Sequence, residues 1–91
     1  MRRVTWSDEA VENLEAIGAY VAGFNPLAAQ RFTRKLIAAA ESLTDFPDRG
    51  RAVRSGTRDL LAVPPYLIRY VVLPDEIRII KIRHSARRPE R

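Results

Sequence analysis

Cysteine is missing from these 91 residues, histidine occurs once, and lysine is confined to Lys35 and Lys81. The absence of cysteine excludes disulfide scaffolds, thiolate zinc sites and thiol nucleophiles together. A single imidazole argues against a transition-metal centre, which needs two or more such ligands, so neither a metal nor a cofactor is expected. No run approaches about 18 apolar residues, the length a membrane-spanning helix needs. The first residues turn acidic at Asp8 and Glu9, where a secretory signal would carry its apolar segment. Together these features predict a cytoplasmic protein with no membrane partner.

What is present is a fold-competent composition, with 46% hydrophobic and 30% charged residues. The length suits a single domain spanning 1–91. The net charge of +5 is unevenly distributed. Residues 1–48 carry five basic and seven acidic residues, a balance of −2, whereas residues 49–91 carry eleven basic and four acidic, a balance of +7. Fourteen of the sixteen basic residues are arginine, whose planar fork of donors suits phosphate and carboxylate. The second half therefore calls for an anionic partner.

Local patterns predict the elements. Arg3-Val4-Thr5-Trp6 is β-prone, and Ser7 followed by Asp8 and Glu9 is a helix start. Ala10, Leu14, Ile17, Val21 and Phe24 then recur at helical spacing to about Gly23. Asn25-Pro26 opens a second helix, with a stripe of Ala29, Phe32, Leu36, Ala39, Leu43 and Phe46 that stops at Pro47. Beyond the Pro47-Asp48-Arg49-Gly50 turn the period changes to two. Strands are predicted over Arg58–Val63, Tyr66–Leu73 and Ile77–Arg83, with a further short edge strand at Arg51–Val53 and a flexible tail over 85–91. The fold class is α+β, β-α-α-β-β-β, a helical hairpin laid on a small antiparallel sheet.

A sheet buried on one face leaves the other for a ligand. The candidate anion-binding surface comprises Arg58, Arg69, Arg78, Lys81 and Arg83, with Arg87 and Arg88 following. Simple alternation puts Lys81 and Arg83 on one face of the last strand and Arg78, Ile80, Ile82 and His84 on the other. His84 is the one side chain with an ordinary pKa near neutrality. Trp6, Tyr66 and Tyr70 fit core positions. There is no Gly-rich phosphate loop, no His-Glu-x-x-His metal pattern and no serine with a neighbouring base.

Several stretches in this order are similar to the ParE/RelE superfamily of toxins from bacterial type II toxin–antitoxin modules. They are Trp6-Ser7 with Leu14-Glu15-Ala16-Ile17, Asn25-Pro26 with Ala28-Ala29, Phe46-Pro47-x-x-Gly50-Arg51, Tyr66-Leu67-Ile68-Arg69-Tyr70, and Ile77 through His84 with Arg87. The resemblance implies a toxin neutralised by a small antitoxin. Within the superfamily, ParE-like members inhibit DNA gyrase without being enzymes, whereas RelE-like members cut mRNA on the ribosome. RNA cleavage through the 2′-OH needs a base, an acid and cations on the phosphate. In a RelE-like chain, Arg69, Arg83 and His84 would supply them. The Asn25-Pro26 junction, the Phe46–Arg51 turn and the Arg83-His84-x-x-Arg87 ending look more like ParE, and the tail has no tyrosine. The expectation is therefore a ParE-like gyrase inhibitor with a ParD-like antitoxin, and the alternatives are a RelE-like ribonuclease acting on the ribosome and a plain nucleic-acid-binding domain.

Overall fold

A computed structural model describes residues 2–54 and 56–86. The elements run β1 (Arg3–Trp6), α1 (Asp8–Ala22), α2 (Pro26–Glu41), a 3₁₀ turn (Ser42–Thr44), β2 (Arg51–Arg54), β3 (Thr57–Val63), β4 (Tyr66–Val72) and β5 (Glu76–His84). The sheet order is β1-β5-β4-β3-β2. The α+β architecture is the expected one, and Arg51–Arg54 is the edge strand. The expected tail over 85–91, with Arg87 and Arg88, lies mostly outside the described residues.

Both helices begin where their caps predict. The Ser7 hydroxyl accepts from the Ala10 N–H at 3.0 Å, and Asn25 Oδ1 accepts from the Ala28 N–H at 3.1 Å. Such caps contribute about 1 kcal/mol each. Ser7 also donates to the Ile80 carbonyl at 2.7 Å, so the start of α1 is tied to β5. Gly18 lets the helices approach, because a Cβ there would meet Thr33 Cγ2 at 3.1 Å.

One face of the sheet packs under the helical hairpin. Ile77, Ile79 and Ile82 of β5, Ile68 and Tyr70 of β4, and Leu60 of β3 meet Ala10, Ile17, Leu36, Ala40 and Leu43. Each large side chain buried there contributes about 1.5–3 kcal/mol relative to exposure. Trp6 and Tyr66 pack against this core, as expected. No helix among the described residues is long and apolar enough to cross a membrane.

The structure corrects the sequence reading in several places. The sheet is mixed rather than purely antiparallel, because β1 runs parallel to β5, with Val4 opposite Ile77 and Trp6 opposite Ile79. Local pattern cannot specify this direction, which depends on where the intervening hairpin returns the chain. Phe24 and Phe46 leave their stripes and stand 77% and 62% exposed. Helix α1 ends at Ala22 and α2 gives way to a 3₁₀ turn after Glu41, so the 3.6-residue period no longer governs either position. The third correction concerns β5 and bears on the functional surface.

Candidate functional site

The open face of the sheet follows from strand register. Arg69 lies opposite both Asp59 of β3 and Lys81 of β5, Leu67 lies opposite Arg83, and Val71 opposite Arg78. Directly paired residues share a face, so Arg69, Arg78, Lys81 and Arg83 all project from the side away from the helices. Simple alternation along β5 placed Arg78 with His84. A bulge intervenes, because Arg69 pairs with Lys81 while the next residue, Tyr70, pairs with Ile79. The extra residue reverses the parity of the strand beyond it. Arg78 thereby joins Lys81 and Arg83, while His84 shares the helix face with Ile82 and Tyr66.

His84 is therefore on the opposite face from Arg69. Its ring meets that of Tyr66 edge-on at 5.3 Å, and Tyr66 in turn meets Phe32 at 5.6 Å. Nδ1 of His84 accepts from the Ala86 N–H at 3.1 Å. Arg58 also leaves the predicted surface. Opposite Tyr70 on the helix face, it donates to the Gly50 carbonyl at 2.7 Å and pairs with Asp48 at 3.5 Å. It works with Tyr70, whose hydroxyl donates to the Pro47 carbonyl at 2.7 Å and accepts from the Gly50 N–H at 2.8 Å. Burial pushes the Tyr70 phenol up, so it stays protonated as that donor. The Phe46–Arg51 turn is thus pinned to the sheet by two side chains.

Two buried carboxylates organise the open face. Asp59, 5% exposed, accepts from Arg69 Nε at 2.9 Å and Nη2 at 3.0 Å, and lies 3.8 Å from Arg83 Nη2. These bonds hold the Arg69 guanidinium further above its already high pKa. Glu76 accepts from the Thr5 hydroxyl at 2.8 Å and from Arg78 Nε at 2.9 Å. The Thr5 bond first, then Arg78, holds its carboxyl below the usual range. Lys81 pairs more loosely with Glu9 at 3.6 Å. The surface thus carries its anions beneath and its cations outward.

A second feature adjoins it. Strand β1 covers only Glu76–Ile79 of β5. Past that point Asn13 Oδ1 takes the Ile82 N–H at 2.9 Å in place of a strand. The result is a groove of about 730 Å³ with Ile17, Tyr20, Phe32 and Tyr66 among its apolar lining and Lys81, Arg83 and His84 on its strand side. Tyr20 stacks edge-on with Phe24 at 5.2 Å and both are exposed, which extends the apolar surface to the hairpin tip.

Family comparison decides the lineage. Residues 4–89 match the family described as ParE toxin of type II toxin-antitoxin system, parDE. The chain belongs to the ParE toxin family. Among its relatives, Toxin RelE2 of Caulobacter vibrioides is 46% identical over 96% of this chain and 99% of its own length. Toxin RelE3 of the same organism is 30% identical over 97% of this chain and 99% of its own length. A solved structure described as the chromosomal ParDE TA system from P. aeruginosa is similar at TM-score 0.79, with 25% identity over 92% of this chain and 96% of that one. The fold of this ParE-family chain therefore matches that of a ParDE toxin, while similar sequences carry the name RelE.

Three residues of the site were not singled out from sequence as functional. Asp59, Glu76 and Thr5 read only as charge or as strand. The available signal was the position of Asp59 inside a predicted strand, where a charge needs a partner, whereas Glu76 fell just before the strand predicted over Ile77–Arg83. The partners themselves emerge only from cross-strand register.

Proposed function

We propose that this ParE-family toxin arrests growth by inhibiting DNA gyrase, without catalysing RNA cleavage, and that a ParD-like antitoxin neutralises it in the cytoplasm. The reading is carried by the separation of His84 from Arg69, two of the groups an endoribonuclease would need. Arg69 projects from the open face, bonded to Asp59, whereas His84 stands on the helix face against Tyr66; Arg83 approaches Asp59 and also borders the groove that His84 lines. A proton carrier must come within about 3 Å of the proton it moves, and here the sheet lies between His84 and Arg69. The bidentate Asp59 bond further engages Arg69, so a scissile phosphate must compete with a buried carboxylate.

The antitoxin's place is the groove beside β5 and the adjoining Tyr20–Phe24 surface. An amphipathic segment with acidic residues, folding as it binds, covers the apolar floor and meets Lys81 and Arg83. A ribosome-dependent nuclease is the second reading, favoured by the RelE names of the relatives. Purified components separate the two. Accumulation of cleaved DNA with gyrase and ATP is the expected result. Ribosome-dependent mRNA cutting that is lost in His84→Ala, with no effect on gyrase, refutes it.

A further inference from the structure

We infer that the open face of the sheet is a docking surface for the phosphate backbone of duplex DNA, with Asp59 and Glu76 as the residues that position its arginines. The inference deepens the gyrase reading, since it assigns the toxin a direct contact with the DNA its target handles.

Charge complementarity is the first argument. Arg3 lies opposite Glu76, Arg51 opposite Asp59 and Arg54 opposite Thr57, so these three join Arg69, Arg78, Lys81 and Arg83 on this face. Against these seven cations stand Asp59 and Glu76, 5% and 9% exposed, and Glu9, which pairs with Lys81, which leaves the face with a net charge of +4 among the described residues. The buried carboxylates bind their arginines through Nε and Nη2, and the arginine side chains keep 29% (Arg69) and 53% (Arg78) of their surface exposed. A phosphate oxygen then meets pre-oriented forks rather than freely rotating side chains. Along β5, Arg78 to Arg83 spans about 15 Å, comparable to several phosphates of a duplex strand.

The absence of aromatic side chains from this surface selects duplex over single strand. Trp6, Tyr66 and Tyr70 belong to the helix face, and the open face sets its arginines among aliphatic side chains such as Leu67 and Val71. Unpaired bases are held chiefly by stacking on aromatic rings, and here none is offered among the described residues. A surface of fixed cations without rings suits a backbone whose bases stay paired. Lys81 and Arg83 also border the groove, so an antitoxin seated there displaces DNA.

The test is anisotropy with a fluorescent 20-base-pair duplex, without gyrase, across 50–200 mM KCl. Neutralising about three phosphates gives a slope of log K against log salt near −2.7, an affinity loss of about 40-fold over that range. The double variant Arg78→Gln/Lys81→Gln lowers the loss to about 4-fold, whereas Arg78→Lys/Lys81→Arg keeps the wild-type slope; thermal melts show whether each variant is folded. Undiminished salt dependence in a folded glutamine variant overturns the assignment. So does tighter binding to a single-stranded 20-mer, or binding to polyglutamate with none to duplex, which assigns the face to an acidic protein. Duplex binding with gyrase unaffected upholds the surface and refutes the gyrase reading. Gyrase inhibition without duplex binding does the reverse.

Discussion

Replacing Asp59 by asparagine tests whether the open face is organised by its buried carboxylate. Asparagine preserves shape, and its carbonyl oxygen can still accept from Arg69 Nε. The oxygen now facing Arg69 Nη2 at 3.0 Å and Arg83 Nη2 at 3.8 Å becomes an NH₂ group, placing donor against donor. One charge-assisted bond is lost, a cost of about 1.5–3 kcal/mol, and two guanidinium groups are left close together without their counter-charge. Breaking a fully buried pair costs about 3–5 kcal/mol. The Arg69 and Arg83 side chains retain 29% and 26% of their exposure, so water offsets part of that penalty. We therefore expect about 2 kcal/mol, which for a chain of this length lowers Tm by about 8–16 °C. The same variant raises the charge of the face by one and should elute later from heparin. In a double-mutant cycle with Arg69→Gln, the coupling should exceed about 1 kcal/mol. A Tm within about 3 °C of wild type, or a coupling near zero, refutes the clamp.

Tyr70→Phe leaves the Gly50 N–H and the Pro47 carbonyl without the hydroxyl that serves both, and should cost about 1–3 kcal/mol in urea unfolding. An unchanged midpoint shows that the turn does not need that anchor. Glu76 supplies an acid-limb prediction: its folded carboxyl is held below the unfolded reference near 4.5, so its contribution is fully present above that pH and is lost as pH falls below it. Tm measured against pH should therefore fall less steeply below 4.5 in Glu76→Gln, and a parallel pair of curves contradicts this. Tyr20→Asp places a charge on the apolar surface beside the groove. Because Tyr20 is 66% exposed, Tm should change little while co-purification with the antitoxin is lost, and retained capture moves the antitoxin elsewhere.

Much of the fold was legible because its signals are local. Ser7 and Asn25 cap the helices they were expected to cap, since a cap bond closes within three residues. The β4 alternation held, with Ile68 and Tyr70 inside. Phe24 and Phe46 were misread because a helical period was extended past the residue where each helix stops. The candidate site was legible as composition: arginine-rich, in the second half, on strands. Its arrangement was not legible, because Arg58 turns to the helix face, Arg78 leaves the face that alternation gave it, and Asp59 and Glu76 acquire their roles from partners on neighbouring strands or across the chain.

The sequence by itself determined the two capped helices, the turn at Pro47–Gly50, the strand-rich basic half and the family resemblance. Each of these depends on residues close together in the chain or on their order. Only the tertiary structure decided which cations act together. One bulged residue in β5 reversed the strand's parity, bringing Arg78 beside Lys81 and Arg83 while His84 stays opposite them with Ile82. A side-chain period of two determines faces only while the register is unbroken, and that register is set by cross-strand pairing rather than by the strand's own residues.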